Sequence, residues 1–137
     1  MNLSEKKIVM KGGILGFEEL EEFVLFESEY EPFYWLQSSP DKDVTFLVVD
    51  PFLFFSDYEI DADDVSLEKI GIVDASDVLV LSIITASGNG SPITANLQGP
   101  LIINKKNNHC MQLVLTDDRW TTKHPLLVKE VQGSEKC

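Results

Sequence analysis

Cysteine and histidine are scarce in this chain, which has two of each among 137 residues. Two cysteines are too few for the disulfide framework of a small secreted domain, and Cys137 ends a polar tail, so the composition favours a reducing cytoplasm. His109 and Cys110 are neighbours on a predicted strand, where side chains alternate between faces, so they cannot bind one metal ion together. We expect no metal and no other cofactor.

Long apolar runs are missing as well. Residues 1–11 lack the apolar core of a signal peptide, and no later segment approaches the roughly 20 apolar residues that span a bilayer. The sequence therefore predicts a soluble cytoplasmic protein that does not enter a membrane.

Basic residues are nearly missing from the first half of the chain. Residues 12–77 hold 18 acidic side chains against Lys42 and Lys69, a local net charge of −16, whereas the rest of the chain sums to +4. Such a field repels nucleic acid and anionic membranes, and it attracts basic partners at a salt-dependent rate. We expect no direct binding of RNA or DNA. More commonly, such charge forms a solvated face that only keeps the protein soluble, and that alternative stays open.

Short runs rich in Val, Ile, Phe and Thr recur along the chain, separated by turn signals. We predict strands at residues 8–10, 23–26, 33–36, 45–49, 78–86, 93–97, 101–104 and 110–115. Residues 87–91 and 107–108 can supply the backbone conformations that hairpin turns need. The pattern predicts an all-β fold, a small antiparallel, barrel-like domain with one short helix. We expect a single domain at residues 1–131 and a loose tail at 132–137.

One segment, residues 61–71, has the features of a helix. Asp61 or Asp63 can cap its start, and Asp64 favours the positive end of its dipole. Gly71 can end it, because glycine readily adopts the left-handed conformation that follows a last helical turn. No other segment combines these signals.

Residues 48–61 form an aromatic and acidic stretch, with three phenylalanines in the four positions 52–55. Each buried aromatic side chain removes roughly 150–250 Å² from water, so such a run is typical of a core or an interface. Pro51 cannot donate to a sheet ladder, and the flanking carboxylates resist burial, which favours the border of a sheet. The alternative that these phenylalanines simply fill the core stays open.

Strand alternation gives this stretch two faces. It places Phe52 and Phe54 together at a partner-binding surface, with the Tyr58 hydroxyl at the rim of that surface. It places Leu53 and Phe55 on the other face, in the core.

Catalytic and metal-binding patterns are weak. Ala62 stands where a calcium loop needs glycine, although five carboxylates follow the spacing of such a loop: Asp57, Glu59, Asp61, Asp63 and Glu68. No nucleophile elbow and no phosphate-binding glycine loop is present. We predict that the chain is not an enzyme. The competing hypothesis is a small metal-dependent hydrolase on a β-barrel, using the acidic cluster at residues 57–64.

A series of short motifs covers nearly the whole chain: GILGF at 13–17, FYWLQS at 33–38, VDPFLFF at 49–55, DYE at 57–59, DVLVL at 77–81, TANL at 94–97, Pro100, IIN at 102–104 and KHPL at 123–126. In this order the motifs resemble the FliW family of flagellar assembly factors. The resemblance implies a cytoplasmic β-barrel-like protein without catalytic activity. It also implies two protein partners, flagellin and the RNA-binding translational repressor CsrA.

The implied mechanism is a partner switch. While unexported flagellin is abundant, it occupies the FliW-like protein, and CsrA is free to repress flagellin translation. Once flagellin is secreted, the freed protein captures CsrA and relieves the repression. The acidity of residues 12–77 fits this second partner, because an RNA-binding dimer carries basic surface.

Polar residues of the motifs complete the predicted partner site. Asn96 and Asn104 interrupt apolar strands, where each either contacts a partner or makes an internal hydrogen bond to the backbone. If the site is a sheet edge, a partner can add a strand or a C-terminal peptide to it. The predicted partner-binding residues are Phe52, Phe54, Asp57, Tyr58, Glu59, Asn96 and Asn104. Strand spacing predicts four further residues as core: Trp35, Phe46, Val48 and Leu81.

Overall fold

The structure is a computed structural model that describes residues 5–86 and 92–126. Within these ranges the chain forms strands, one short α-helix and two turns of 3-10 helix, at Pro51–Leu53 and Ala75–Asp77. The helix α1 is Asp64–Lys69. The strands are β1 (Lys6–Met10), β2 (Glu22–Glu27), β3 (Tyr34–Ser38), β4 (Thr45–Val49), β5 (Val78–Thr85), β6 (Thr94–Ala95), β7 (Leu101–Asn104), β8 (His109–Gln112) and β9 (His124–Pro125).

Seven of these strands close into a barrel. Their order is β4-β3-β2-β1-β8-β7-β5, and pairing between β5 and β4 completes the circle. Neighbouring strands are antiparallel except β1 and β8, which run parallel. The short strands β6 and β9 extend the sheet from β5. The predicted all-β barrel is confirmed, and closure is one way in which a small sheet removes exposed edges.

Strands β5 and β7 are buried on both faces, so the molecule has two cores. In β7, Leu101 and Ile103 face the barrel interior, whereas Ile102 between them faces outward. The inner core, inside the barrel, contains Ile8, Met10, Ile14, Phe23, Leu25, Leu36, Val48, Leu81, Leu101, Ile103 and Cys110. The outer core contains Val49, Tyr58, Ile70, Ile84, Ala95, Leu97, Ile102, Leu113, Leu115, Trp120 and Leu126. Burial on both faces explains the continuous apolar runs at residues 78–81 of β5 and 101–103 of β7.

The helix α1 is shorter than the predicted segment 61–71, but its signals are correct. Asp63 caps it by accepting a hydrogen bond from the Ser66 N–H at 3.1 Å. Gly71, at φ +75°, follows its end as predicted. Residues 61 and 62 precede the cap and are not helical. Among the described residues, no helix is long and apolar enough to cross a membrane.

The predicted strands match the observed ones in position, with differences at the ends. The prediction at 93–97 shortens to β6, and the prediction at 110–115 leaves the regular ladder after Gln112. Strand β9 was not predicted, because two paired residues show no periodicity. The turn at 107–108 is confirmed by Asn108, whose φ is +62°. The predicted hairpin at 87–91 and the tail at 132–137 lie outside the described residues.

Trp35 does not belong to either core, contrary to the prediction. Alternation along β3 places Leu36 inside the barrel, so Trp35 faces outward and is half-buried. Its indole N–H donates to the Glu29 carboxylate at 3.3 Å, and its ring meets Tyr30 edge-on. Period-two spacing separates two faces of a strand without telling which one is inside. The other three predicted core residues do pack in the inner core: Phe46, Val48 and Leu81.

Neighbouring residues of β3 give a direct test of this assignment. Leu36→Ala should lower the free energy of unfolding by about 2–5 kcal/mol, because it empties a fully buried site in the inner core. Trp35→Ala should cost clearly less, since its side chain is only partly buried and packs against neither core. Urea denaturation of both variants measures the difference. Equal losses would place Trp35 in a packed core.

Candidate protein-binding groove

The aromatic segment after β4 is a turn and not the predicted edge strand. Asp50 accepts a hydrogen bond from the Phe52 N–H at 2.9 Å, and Pro51 is the first residue of the 3-10 helix Pro51–Leu53. The fixed φ of proline suits the start of a helix, and an aspartate before it satisfies a free N–H group. Strand alternation therefore does not apply to residues 52–55.

The side chains of residues 52–55 do not alternate between two faces as predicted. Phe52 and Leu53 are 44% and 60% exposed. Phe54 stacks on Phe33 with ring centroids 6.2 Å apart, and both Phe54 and Phe55 pack against the outer core. The predicted surface shared by Phe52 and Phe54 is therefore wrong, and so is the predicted burial of Leu53. A helical turn separates residues two apart that a strand would place side by side.

Tyr58 is buried, and the prediction that its hydroxyl lies at a rim is wrong. The hydroxyl donates to the Leu97 carbonyl oxygen at 2.6 Å, and the ring meets Trp120 edge-on with centroids 5.0 Å apart. The ring of Phe52 lies 5.6 Å from it. Burial raises the pKa of the Tyr58 phenol well above its ordinary value, because the ionised form would lose its hydration. Tyr58 thus ties the acidic segment that follows it to the outer core.

Asn96 and Asn104 both make internal hydrogen bonds to the backbone, one of the two alternatives open for them. The Asn104 amide donates to the Ile70 carbonyl oxygen at 2.8 Å and accepts from the Lys106 N–H at 2.9 Å. Asn96 accepts from the Gly99 N–H at 2.8 Å. Because Asn104 is only 2% exposed, its bond to Ile70 ties the end of α1 firmly to the end of β7.

A groove of about 1460 Å³ runs between two walls on the outer side of the barrel. The first wall, here called the acidic wall, is residues 59–75 and includes α1. The second, the strand wall, is residues 111–117, which comprise the end of β8 and the chain that follows it. Apolar side chains from both walls and from β5 and β7 form the floor of the groove: Ile60, Leu67, Ile72, Val78, Val80, Ile102, Met111 and Leu113.

Negative charge dominates the groove. Among the described residues its lining includes no lysine, arginine or histidine and six carboxylates: Glu59, Asp61, Asp63, Asp64, Glu68 and Asp117. Hydrogen bonds from Ser66 lower the pKa of Asp63, and those from Arg119 lower the pKa of Asp117, so both carboxyls are ionised at neutral pH. Because most of these groups are exposed, water and salt screen their mutual repulsion.

Arg119 joins the two walls at one end of the groove. Its guanidinium contacts the Asp117 carboxylate at 2.7 Å and the Glu59 carboxylate at 3.5 Å. It also lies over the Trp120 ring, 5.0 Å from the centroid. These ion pairs are solvent-exposed, so they orient the walls more than they stabilise the fold.

The acidic cluster at residues 57–64 lines the groove except at Asp57. The hydrolase hypothesis requires a closed pocket around an ion, but all five of these carboxylates are solvent-exposed: Asp57, Glu59, Asp61, Asp63 and Asp64. Over residues 5–86 and 92–126, no three histidine, cysteine or acidic side chains are placed to hold one metal ion.

The groove brings together only part of the predicted partner site. Phe52, Tyr58 and Glu59 line it. The strand wall was not predicted as part of the site, although its alternation was visible in the sequence. The alternation predicts a strand, but it does not show which edge of that strand has no neighbouring strand. The remaining predicted residues do not line the groove: Phe54, Asp57, Asn96 and Asn104.

Comparison with known proteins shows one consistent similarity. The model of the FliW protein family matches residues 2–126. The flagellar assembly factor FliW of Treponema denticola is 50% identical over 125 residues, covering 91% of this chain and 85% of that relative. The FliW of Bacillus subtilis is 41% identical over 139 residues, covering 100% and 93%. A crystal structure of the flagellar assembly factor FliW has a TM-score of 0.82 and 38% identity, covering 88% of this chain and 85% of its own.

Truncation of Phe52 and of Phe54 to alanine should lower the free energy of unfolding by different amounts. Phe54→Ala should lower the free energy of unfolding by about 2 kcal/mol or more, because it leaves a gap against Phe33 and the outer core. Phe52→Ala should cost less than about 1 kcal/mol, because that ring is nearly half exposed. Thermal melting of the two variants distinguishes them. Similar melting temperatures would mean that the turn is not packed as described.

The buried phenol makes stability sensitive to alkaline pH. Since the folded-state pKa of Tyr58 is raised above its unfolded value of about 10, its contribution to stability is complete below that pH and is lost as pH rises. The free energy of unfolding should therefore fall more steeply from about pH 9 to 11 in the parent than in Tyr58→Phe. Urea titrations across this range measure both slopes. Parallel slopes would show that Tyr58 ionises normally in the fold.

Proposed function

This chain belongs to the FliW family of flagellar assembly factors, and on that premise we propose that it is a cytoplasmic partner switch for flagellin synthesis. In this proposal, unexported flagellin occupies the protein while it is abundant. When flagellin has been exported, the free protein binds a CsrA-type translational repressor and relieves repression. The protein acts by binding and catalyses no reaction.

The observation that carries the proposal is a groove whose described lining holds six carboxylates and no basic residue, with Arg119 at one end pairing with two of those carboxylates. Its apolar floor supplies area to bury, and its carboxylates select a basic partner over an acidic one. A repressor that binds RNA carries basic surface of this kind. We assign the groove to the CsrA-type partner on this complementarity.

The same charge supports a mechanism for blocking RNA. An acidic domain bound next to the basic surface of a repressor places negative charge near the path of the RNA phosphates. Like-charge repulsion then opposes RNA binding even if the RNA site itself remains open. The local net charge of −16 over residues 12–77 motivates this step.

The predicted site residues divide into two roles in the proposal. Phe52, Asp57 and Glu59 are exposed and are proposed to contact a partner directly. The other four are proposed to position the walls of the site through their packing and hydrogen bonds: Phe54, Tyr58, Asn96 and Asn104.

Charge reversal in the groove tests the proposal. Asp61 and Glu68 line the groove, and their carboxylates make no hydrogen bond or ion pair with a described residue, so the double variant Asp61→Lys/Glu68→Lys should fold normally. We expect it to bind the CsrA-type repressor at least about tenfold more weakly and to lose its effect on RNA binding. The association rate of the parent should also fall with added salt, and that of the variant should respond less. Stopped-flow kinetics and RNA gel shifts measure the two effects.

The matched control is Glu19→Lys/Glu21→Lys. It changes the net charge by the same amount at exposed positions that do not line the groove. The control should retain binding within about twofold of the parent, apart from a small general charge effect. Equal losses in both double variants would make the acidity a general surface property. Unchanged repressor binding in Asp61→Lys/Glu68→Lys would remove the groove from the proposal.

A further inference from the structure

Within residues 5–86 and 92–126, the strand wall has one hydrogen-bonded edge and one open edge. Leu113 donates its backbone N–H to the Pro100 carbonyl at 2.9 Å, and Leu115 donates to the Gln98 carbonyl at 2.8 Å. In an antiparallel ladder, one residue directs both its N–H and its C=O to one side of the strand, and the next residue directs both to the other side. Val114 and Thr116 therefore direct theirs away from residues 98–100. Neither N–H donates to any residue within the described ranges.

The missing neighbour on this edge is β1. It runs parallel to β8, but its pairing ends at Met10 and Cys110, and the last backbone bond is from the Lys11 N–H to the Cys110 carbonyl at 2.7 Å. The chain then turns away at Gly12, whose φ is +82°, a conformation that favours glycine. Beyond Gln112 no described strand pairs with this edge.

This edge faces the groove. Val114 and Thr116 both line it, and Val114 is 67% exposed. On the opposite wall Val73 is 96% exposed. The groove therefore offers a partner unpaired backbone groups on one side, exposed valines on both walls and carboxylates along the rim. An exposed strand edge of this kind is a template for pairing with another chain.

We propose that the partner inserts an extended, basic segment into the groove and pairs it with the open edge at Val114 and Thr116 as an added β-strand. The proposal rests on the partner-binding role given above and specifies how that site binds. In a strand, side chains alternate in direction, so apolar residues of the segment face the floor while its lysines or arginines face the carboxylates. A second copy of this chain is a poor occupant, because each copy carries a net charge of −12.

The test uses a blocked eight-residue peptide of alternating valine and lysine as the probe. Two versions of it carry N-methyl groups, one on every valine nitrogen and one on every lysine nitrogen. Because a strand bonds its neighbour through alternate residues, one methylated peptide should bind at least about tenfold more weakly, while the other stays within about threefold of the parent peptide. Isothermal titration measures the affinities. Equal losses for both methylated peptides, or none for either, would overturn strand addition.

A protein variant tests the same edge from the other side. Val114→Pro removes the N–H proposed to pair with the partner, and no described residue uses that N–H in the free protein. We expect peptide affinity to fall at least about tenfold in Val114→Pro and to stay within about twofold in Val114→Thr, which keeps the N–H. In the parent, the peptide should slow amide exchange at Val114 and Thr116. That measurement decides the question if the proline variant does not fold.

The outcomes separate this inference from the proposed function. If Asp61→Lys/Glu68→Lys loses the CsrA-type repressor but Val114→Pro binds it normally, strand addition is wrong and the proposed function stands. If Val114→Pro loses the peptide but the parent binds neither flagellin nor the repressor, the edge is a binding site and the proposed function fails. If ultracentrifugation shows a parent dimer that Val114→Pro dissociates, the occupant is a second copy and the basic partner is wrong.

Discussion

Burial of one pair of strands on both faces is the constraint on which the rest of this structure depends. Strands β5 and β7 form a wall between the inner and outer cores, and in β7 Leu101, Ile102 and Ile103 are all at most 2% exposed. An apolar sheet face must be covered by another layer. The barrel covers one face by closing on itself. The other face needs the chain after β4 and the chain after β8, and the groove is the space those two segments leave open.

Buried hydrogen bonds fix both ends of the acidic wall, in addition to the packing of the outer core. The helix α1 has six residues and no fully buried side chain, and such a short helix is not stable alone. The Tyr58 hydroxyl bonds to Leu97 before it, and Asn104 bonds to Ile70 after it. Breaking either bond would leave a buried polar group without a partner, which costs about 1–3 kcal/mol. The acidic wall is thus fixed at both ends while its carboxylates remain in water.

This arrangement separates the groups that position the site from the groups that face a partner. Tyr58 and Asn104 are buried and position the wall, whereas Asp61 and Glu68 are exposed and carry its charge. Exposed charges add little to the stability of a fold, but they strongly affect the rate and choice of association. The surface can therefore carry a strong negative charge without a large cost in stability. Arg119 is also exposed, but it contacts one carboxylate on each wall and so helps to position the walls.

The sequence by itself determined what depends on near neighbours: the strands at 45–49 and 101–104, a helix cap at either Asp61 or Asp63, the Gly71 helix end and the acidity of residues 12–77. Only the tertiary structure decided which face of β3 is inside, where Tyr58 bonds and which strand edge stays open. Tyr58 bonds to a carbonyl 39 residues away, and no described strand pairs with the edge at Val114 because the pairing of β1 ends at Met10. Burial and hydrogen bonding depend on which distant segments meet, and local patterns do not contain that information.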